Sequence, residues 1–349
     1  METSREKRQP VRVGVAGLNH DHVFGLLRRE EQGDVTVVGI AEPDMGLAER
    51  YAKIGGYSME QVYPNLAMMV DAVKPEAVLA YNSIFDHRAV VEVCAPRGIH
   101  VMVEKPLAVS LEHAEAMARL ARRHAIHLLT NYETSWYAST YAAYQQVVTE
   151  GRFGAIRKVV AHDGHRGPVE IGCTPDFLAW LTDPALNGGG AVIDFGCYGA
   201  NLITWLMGGQ APESVTALIQ TLKPGVYPKV DDDATILLAY PGATGIIQGS
   251  WNWPVSRKDL EIYGQQGQLI AVDGQTMRAR MGDFSPEETI TLSKNTAPLT
   301  DPFSYLAAVV RGEIQVQPGD LASLENNLTV VAILDAARES ASTGARVKL

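Results

Sequence analysis

Apolar residues in the first third of the chain fall in short unbroken runs separated by amphipathic stretches. Val11–Ala16 (VRVGVA), Val35–Glu42 (VTVVGIAE), Ala77–Ala80 (AVLA), His100–Glu104 (HVMVE) and His127–Thr130 (HLLT) read as buried strands. Between them, Asp21–Glu31, Asp44–Lys53, Asn65–Val73, Asp86–Arg97 and Ser110–His124 carry apolar residues at helical spacing, with Ser110 placed as an N-cap. Strands that are apolar on both faces and alternate with helices predict a parallel sheet covered on both sides. Right-handed crossovers make that sheet doubly wound, as in a Rossmann domain.

The pattern changes after about Tyr132. Ile156–Ala161, Val215–Leu222, Ala234–Tyr240, Gly245–Trp253 and Leu260–Tyr263 read as strands without regular intervening helices, which predicts a large, mostly antiparallel sheet. Asn201–Met207 reads as a buried helix and Leu324–Ser340 as a terminal amphipathic one. The expected architecture is α/β in two domains. Residues 1–131 form the Rossmann domain, and residues 132–349 form an α+β domain for substrate binding and oligomerisation, its last helix packing back on the first.

Composition narrows the function classes. The 349 residues are 46% apolar, enough for two cores. Forty acidic against 30 basic residues leave a net charge of −10, which disfavours nucleic acid and anionic membrane as partners. No apolar run is long enough to cross a bilayer, and the polar stretch Met1–Pro10 lacks the apolar core of a secretory signal. Cys94, Cys173 and Cys197 are odd in number and form no CxxC, so a reducing, cytoplasmic setting is expected. Cys94 and Cys197 are expected in cores.

The segment from Gly14 to His22 (GVAGLNHDH) follows the first strand and opens the first helix, the place of a pyrophosphate-binding turn. Gly14 and Gly17 fit that role. Asn19 stands where a second glycine lets backbone approach phosphate, and His22 replaces the third. Asn tolerates positive φ, which makes Asn19 the milder departure. His20 or His22 is expected within reach of the pyrophosphate or the nicotinamide ribose. Glu42 ends the second strand 25 residues after Gly17, near the usual spacing of the ribose-binding acid. A carboxylate there accepts from both ribose hydroxyls and repels a 2′-phosphate, favouring NAD over NADP.

Two further segments carry a resemblance. Glu104-Lys105-Pro106-Leu107 and Gly188-Gly-Gly-Ala-Val-Ile-Asp194-Phe-Gly196-Cys-Tyr198-Gly-Ala-Asn201 resemble the hallmarks of the glucose–fructose oxidoreductase / inositol dehydrogenase (Gfo/Idh/MocA) family. Asn82, His87 and the closing Glu339–Gly344 (ESASTG) match it in order. The resemblance implies that Asn82, His87, Glu104, Lys105 and Pro106 border the cofactor NAD. It also implies that Lys105, Asp194 and Tyr198 form the catalytic set. Many relatives have His where Tyr198 stands. A free phenol titrates near ~10, and a neighbouring ammonium lowers it, so Lys105 is expected to make Tyr198 a proton relay. Lys105 and Tyr198 are then needed for chemistry and not for folding. Taken singly, Lys105 reads as a turn residue, Asp194 as a helix cap and Tyr198 as core; the joint pattern favours function.

His165 and Arg166, in the loop after the strand that opens the second domain, are candidate contacts for substrate hydroxyls or a carboxylate. Trp180 and Asn187 flank the glycine run and are candidate sugar-stacking and hydrogen-bonding groups. Glu133-Thr134-Ser-Trp136 replaces the Arg-Phe of many relatives. Trp251 and Trp253 read as sheet packing or a subunit interface. His20/His22 and His162/His165 lack the carboxylate or Cys partners of a metal site, and no metal is expected. The leading expectation is an NAD-dependent oxidoreductase acting on a sugar, cyclic polyol or related hydroxy compound, as a homodimer or homotetramer. A redox-neutral enzyme that cleaves glycosides with resident NAD and a non-catalytic NAD sensor are the alternatives.

Overall fold

The computed structural model describes residues 9–29 and 33–349. The polar N-terminal run up to residue 8 and the end of the first expected helix, at residues 30 and 31, lie outside them. Six strands form the first sheet: β1 (Val11–Ala16), β2 (Val35–Ala41), β3 (Val62–Tyr63), β4 (Ala77–Ala80), β5 (His100–Glu104) and β6 (Leu128–Asn131). Their order is β3-β2-β1-β4-β5-β6, and every pairing is parallel. The strand order reverses between β1 and β4, which opens a crevice at the carboxyl ends of the strands.

Successive residues of these strands feed opposite cores, which is why the strands read as continuous apolar runs. Val78 and Ala80 face the helices His87–Cys94 and Leu111–Arg123, whereas Ala77 and Leu79 face the opposite layer. Two later segments return to this sheet. The helix Leu324–Thr343 places Leu324 and Val331 in the first layer and Val330, Ile333 and Leu334 in the core of the second sheet. The unanticipated helix Pro302–Val310 packs Phe303 and Leu306 into the other layer. Arg29 fastens it, donating to Asp34 at 2.6 Å and to its N-cap Asp301 at 2.9 Å.

Nine strands form the second sheet: β7 (Ile156–Gly164), β8 (Ser214–Gln220), β9 (Asp233–Tyr240), β10 (Ala243–Ser250), β11 (Arg257–Gly264), β12 (Gly267–Ala271), β13 (Thr276–Met281), β14 (Glu288–Thr291) and β15 (Val347–Lys348). Their order is β14-β13-β12-β11-β7-β10-β9-β8-β15, and only β7 and β10 pair in parallel. Ala234, Ile236 and Leu238 alternate inward against the wholly buried helix Gly196–Leu206. Gly199 lets that helix lie close, because a Cβ there would sit 2.7 Å from Ile247. The expected strand through Trp253 ends at Ser250, freeing Trp251 to turn into the site. The three cysteines are free, with Cys94 and Cys197 buried as expected. No helix among the described residues is long and apolar enough to cross a membrane.

Candidate active site

The turn after β1 is built by backbone geometry. Gly17 has φ of +79°, and a Cβ would lie 2.8 Å from that of Asn82. Only glycine meets both demands. Gly14, by contrast, lies inside β1, where a Cβ would meet the Met69 methyl at 2.6 Å. Its small size serves packing under the helix Leu66–Val73, which corrects its expected contact with a cofactor. Asn19 departs from expectation too, since Lys74 and Ala125 are the non-glycine residues with positive φ among the described ones.

Glu42 is buried where expected, at the end of β2. Its carboxylate accepts the Leu18 N–H and the Asp44 N–H, each at 2.9 Å. Burial pushes its pKa up despite these bonds. Each oxygen keeps a lone pair beyond the bond it already accepts.

The two turn histidines behave differently. His20 is buried against Phe177 and Trp180, its ring centroid 4.7 Å and 5.4 Å from theirs. Burial, then His22 and Lys105, hold its pKa well below the ordinary value, so the ring is neutral. Its Nδ1 accepts the His22 N–H at 3.1 Å. His22 turns to Glu104, with Nδ1 2.9 Å from Oε2. The other Glu104 oxygen accepts from Asn131 at 2.7 Å. Burial opposes the charge on Glu104, but His22, Asn131 and Lys105 outweigh it and keep its pKa below the carboxylate norm. Glu104 is therefore a fastener between the turn and β6, and its carboxylate is already committed.

Trp180 and Asn187 are corrections as well. Trp180 lies on the unanticipated helix Pro175–Leu181, is 3% exposed, and donates its indole N–H to the Asn19 carbonyl at 2.9 Å. It braces the turn and presents no open face to a sugar. Beside it, Thr174 donates through its N–H to Asp21 at 2.9 Å, a second clasp between the turn and this helix. Asn187 is buried and donates to the Gly189 carbonyl at 2.7 Å, which makes it part of the glycine segment's scaffold. Arg166 is exposed; its carbonyl accepts from Lys223.

Lys105, before Pro106 and a cis peptide bond, reaches across to the second sheet's helices. Its Nζ donates to the Asp194 carboxylate and, at 2.9 Å, to the Asp194 carbonyl. The second carboxylate oxygen accepts from the Trp251 indole at 2.9 Å. Burial works against both charges. Asp194 nevertheless raises the pKa of Lys105, and Lys105, His165 and Trp251 lower that of Asp194. The pair is ionised.

Tyr198 lies beside it, with the Lys105 Nζ 5.2 Å from its ring centroid and the Lys258 Nζ 4.8 Å away. Its expected activation is not found. Burial, followed by Glu133, Cys197, Asp194 and Glu104, holds its pKa well above the ordinary phenol value. Nearby acids and desolvation outweigh the ammoniums, and Tyr198 rests as a neutral phenol.

His165 forms an edge contact with Phe195 at 4.9 Å and accepts the Gly167 N–H at Nδ1, 2.9 Å away. Burial, Lys105 and Lys258 outweigh Asp194 and Glu170 and lower its pKa. A neutral ring accepting at Nδ1 carries its proton on Nε2. His165 and Phe195 border a cavity of about 550 Å³ whose wall continues through Glu133, Tyr137, Lys258 and Arg278. Sequence reasoning missed Lys258, whose ammonium meets the Glu133 carboxylate, and the Trp251 indole. The only advance sign of either was that Glu133 departs from the Arg-Phe pattern. It also missed Asp163, buried with Oδ2 unpartnered and its pKa well raised, by desolvation first.

Carboxylates do reach both histidine clusters, contrary to expectation. Glu104 stands with His20 and His22, and Asp259 and Glu261 stand near His162. They are distant in sequence and meet only in the fold. Asp259 is held by Arg257 through two bonds of 2.7 Å, and Glu261 accepts from Tyr263 at 2.6 Å.

Residues 11–132 match the oxidoreductase family with an NAD-binding Rossmann fold, and residues 141–270 match the GFO/IDH/MocA C-terminal domain. The chain belongs to the GFO/IDH/MocA oxidoreductase family. A trans-1,2-dihydrobenzene-1,2-diol dehydrogenase of Bos taurus is 27% identical over 279 residues, covering 79% of this chain and 75% of that protein. An inositol dehydrogenase homologue from Azotobacter vinelandii, solved with NAD+, superposes with a TM-score of 0.83 at 19% identity, covering 98% of each chain. An aldose-aldose oxidoreductase from Caulobacter crescentus, complexed with glycerol, gives 0.82 at 21% identity over 98% of this chain and 100% of that one.

The crevice of this GFO/IDH/MocA chain fits a dinucleotide. Asn19 Oδ1, Asn82 Oδ1 and His87 Nε2 are buried acceptors without a partner. His87 Nδ1 donates to the Leu107 carbonyl at 3.1 Å, which leaves Nε2 as an acceptor. Orphaned buried acceptors are costly, and ligand donors relieve that cost.

Proposed function

We propose that this family member is an NAD-dependent oxidoreductase acting on CH–OH groups, with a sugar, cyclic polyol or related hydroxy compound as substrate. The observation that carries the reading is the ionised Lys105–Asp194 pair beside Tyr198, whose ring also meets Lys258, a residue of the cavity wall that carries both charge signs. Such a lining gives donors and acceptors to a polyhydroxylated ring. The names of the related proteins, a cyclic diol dehydrogenase, an inositol dehydrogenase homologue and an aldose oxidoreductase, support the same class.

When bound, the nicotinamide would supply the hydride acceptor for alcohol oxidation and, in its reduced form, the hydride donor for carbonyl reduction. Gly17, Asn19, Asn82 and His87 would hold it, and Glu42 would accept from its ribose hydroxyls. The protein's share is proton transfer. In carbonyl reduction the Tyr198 phenol gives its proton to the nascent alkoxide, and Lys105 and Lys258 stabilise the phenolate left behind. In alcohol oxidation the phenolate must form first, so that direction gains from rising pH. His165, through Nε2–H, and Lys258 orient the substrate oxygens.

Exposed Leu218 on β8 and Leu237 on β9 support assembly as a homodimer or homotetramer through the second sheet. The free cysteines accord with a cytoplasmic setting. The test is to quantify nicotinamide released on denaturation, then screen sugars, cyclic polyols and glycosides with added NAD. NADH absorbance growing with product is the expected result. Stoichiometric resident cofactor and product without NADH would replace the reading with redox-neutral glycoside cleavage.

A further inference from the structure

A second cavity, of about 520 Å³, is lined in part by Trp136, which follows β6 closely in the chain. Five aromatic rings line it, Trp136, Tyr141, Tyr144, Trp205 and Tyr305, and aliphatic side chains make up most of the remaining wall. Tyr144 stacks on Trp205 at 4.2 Å, Tyr141 meets the same indole edge-on at 5.8 Å, and Trp136 and Tyr305 lie 5.4 Å apart. The Trp136 indole donates to Asn131 at 2.9 Å, so this wall is anchored to the residue that holds Glu104.

One charged side chain lines the cavity among the described residues, the half-buried Asp320. Its Oδ2 accepts the Gln317 N–H at 2.7 Å. Asp320 lines the cage together with Tyr141, whose phenol is pushed up to about 12, by burial first and then by this carboxylate. No lysine or arginine lines the space to compete for it.

A cluster of aromatic rings with a single carboxylate and no competing cation is the chemistry that recognises an organic ammonium, and the aliphatic part of the wall suits its apolar body. Aliphatic side chains alone would take any apolar group; these rings add attraction for positive charge, and Asp320 supplies the counter-ion. The volume suits a small molecule. We infer that this cavity is a binding site, separate from the redox cleft, for a small quaternary or protonated amine with an apolar body. The inference stands independently of the substrate reading above.

Choline and its uncharged isostere 3,3-dimethylbutan-1-ol are the probes. They are titrated calorimetrically, and by tryptophan fluorescence, into the full chain saturated with NAD. Choline is expected to bind saturably, and the isostere about tenfold more weakly, because a desolvated cation–π contact with its counter-ion exceeds ~1.4 kcal/mol. Asp320→Asn, which keeps the Gln317 bond, and Tyr144→Ala should each weaken choline at least ~5-fold. NAD affinity and melting temperature should stay at wild-type values in Asp320→Asn. Absence of saturable choline binding, equal affinity for the isostere, or wild-type affinity in both variants would overturn the inference.

Discussion

Lys105 and Asp194 close the gap between the two sheets: the lysine follows the end of β5, and the aspartate ends the short helix Ala191–Asp194 just before the helix Gly196–Leu206. Both side chains are nine-tenths buried, and Trp251 takes the remaining carboxylate oxygen. The contact is at once a candidate catalytic element and part of what holds the sheets together.

That double role changes one expectation. Lys105 was expected to be dispensable for folding, but Lys105→Met leaves an anion buried with only the Trp251 indole. Breaking such a pair costs about 3–5 kcal/mol. The double variant Lys105→Met/Asp194→Asn should recover part of that loss. Thermal unfolding of both variants checks it, and a single variant as stable as wild type would show that the charge pair is not load-sharing.

Glu42 should set the choice of cofactor. NAD should bind at least ~10-fold tighter than NADP, since repulsion of a 2′-phosphate by a buried carboxylate exceeds ~1.4 kcal/mol. Glu42→Gln should narrow the ratio. Calorimetric titration with both dinucleotides reads it directly, and equal affinities in the wild type would remove Glu42 from the ribose site.

The first sheet was legible because both its faces are covered: two-sided burial writes unbroken apolar runs, and β1, β4 and β5 begin and end where those runs do. The short strands β12 to β14 escaped notice because polar and charged residues such as Arg278, Arg280 and Glu288 alternate through them. Lys105, Asp194 and Tyr198 gather as the two motifs suggest. Trp180 was misread because its role depends on how the helix Pro175–Leu181 docks against the turn, which local pattern does not encode, and Asn187 because its amide is spent on the Gly189 carbonyl two residues on. Trp251 was hidden for a related reason: its indole reaches Asp194 only because β10 ends one residue before it.

Trp180 provides a test of that correction. Trp180→Phe keeps the packing against His20 and removes the bond to the Asn19 carbonyl. A lost neutral hydrogen bond is worth about 1 kcal/mol, so NAD affinity should fall roughly fivefold while substrate KM stays unchanged. A raised substrate KM with intact NAD affinity would restore the sugar-stacking role.

His87 should make the fold acid-sensitive. Burial lowers its pKa from 6.5 to about 4. The unfolded chain therefore binds the extra proton first as pH falls, and the native state loses stability between pH 6.5 and 4. Above pH 6.5 both states are neutral there and the contribution is complete. The full loss for this side chain is about 3 kcal/mol, and the buried His20 adds in the same direction. In His87→Gln, unfolding free energy measured across this window should fall less steeply. An unchanged slope would mean that the imidazole charges freely in the folded protein.

The most direct test concerns Tyr198, whose hydroxyl is the proposed proton donor and acceptor. Tyr198→Phe keeps the ring beside both ammoniums, so melting temperature and NAD affinity should match the wild type. With a hydroxy substrate found by screening, kcat should fall by ~10² or more, the usual scale for a positioned acid–base group. A Tyr198→Phe protein that produces NADH at the wild-type rate would contradict the account.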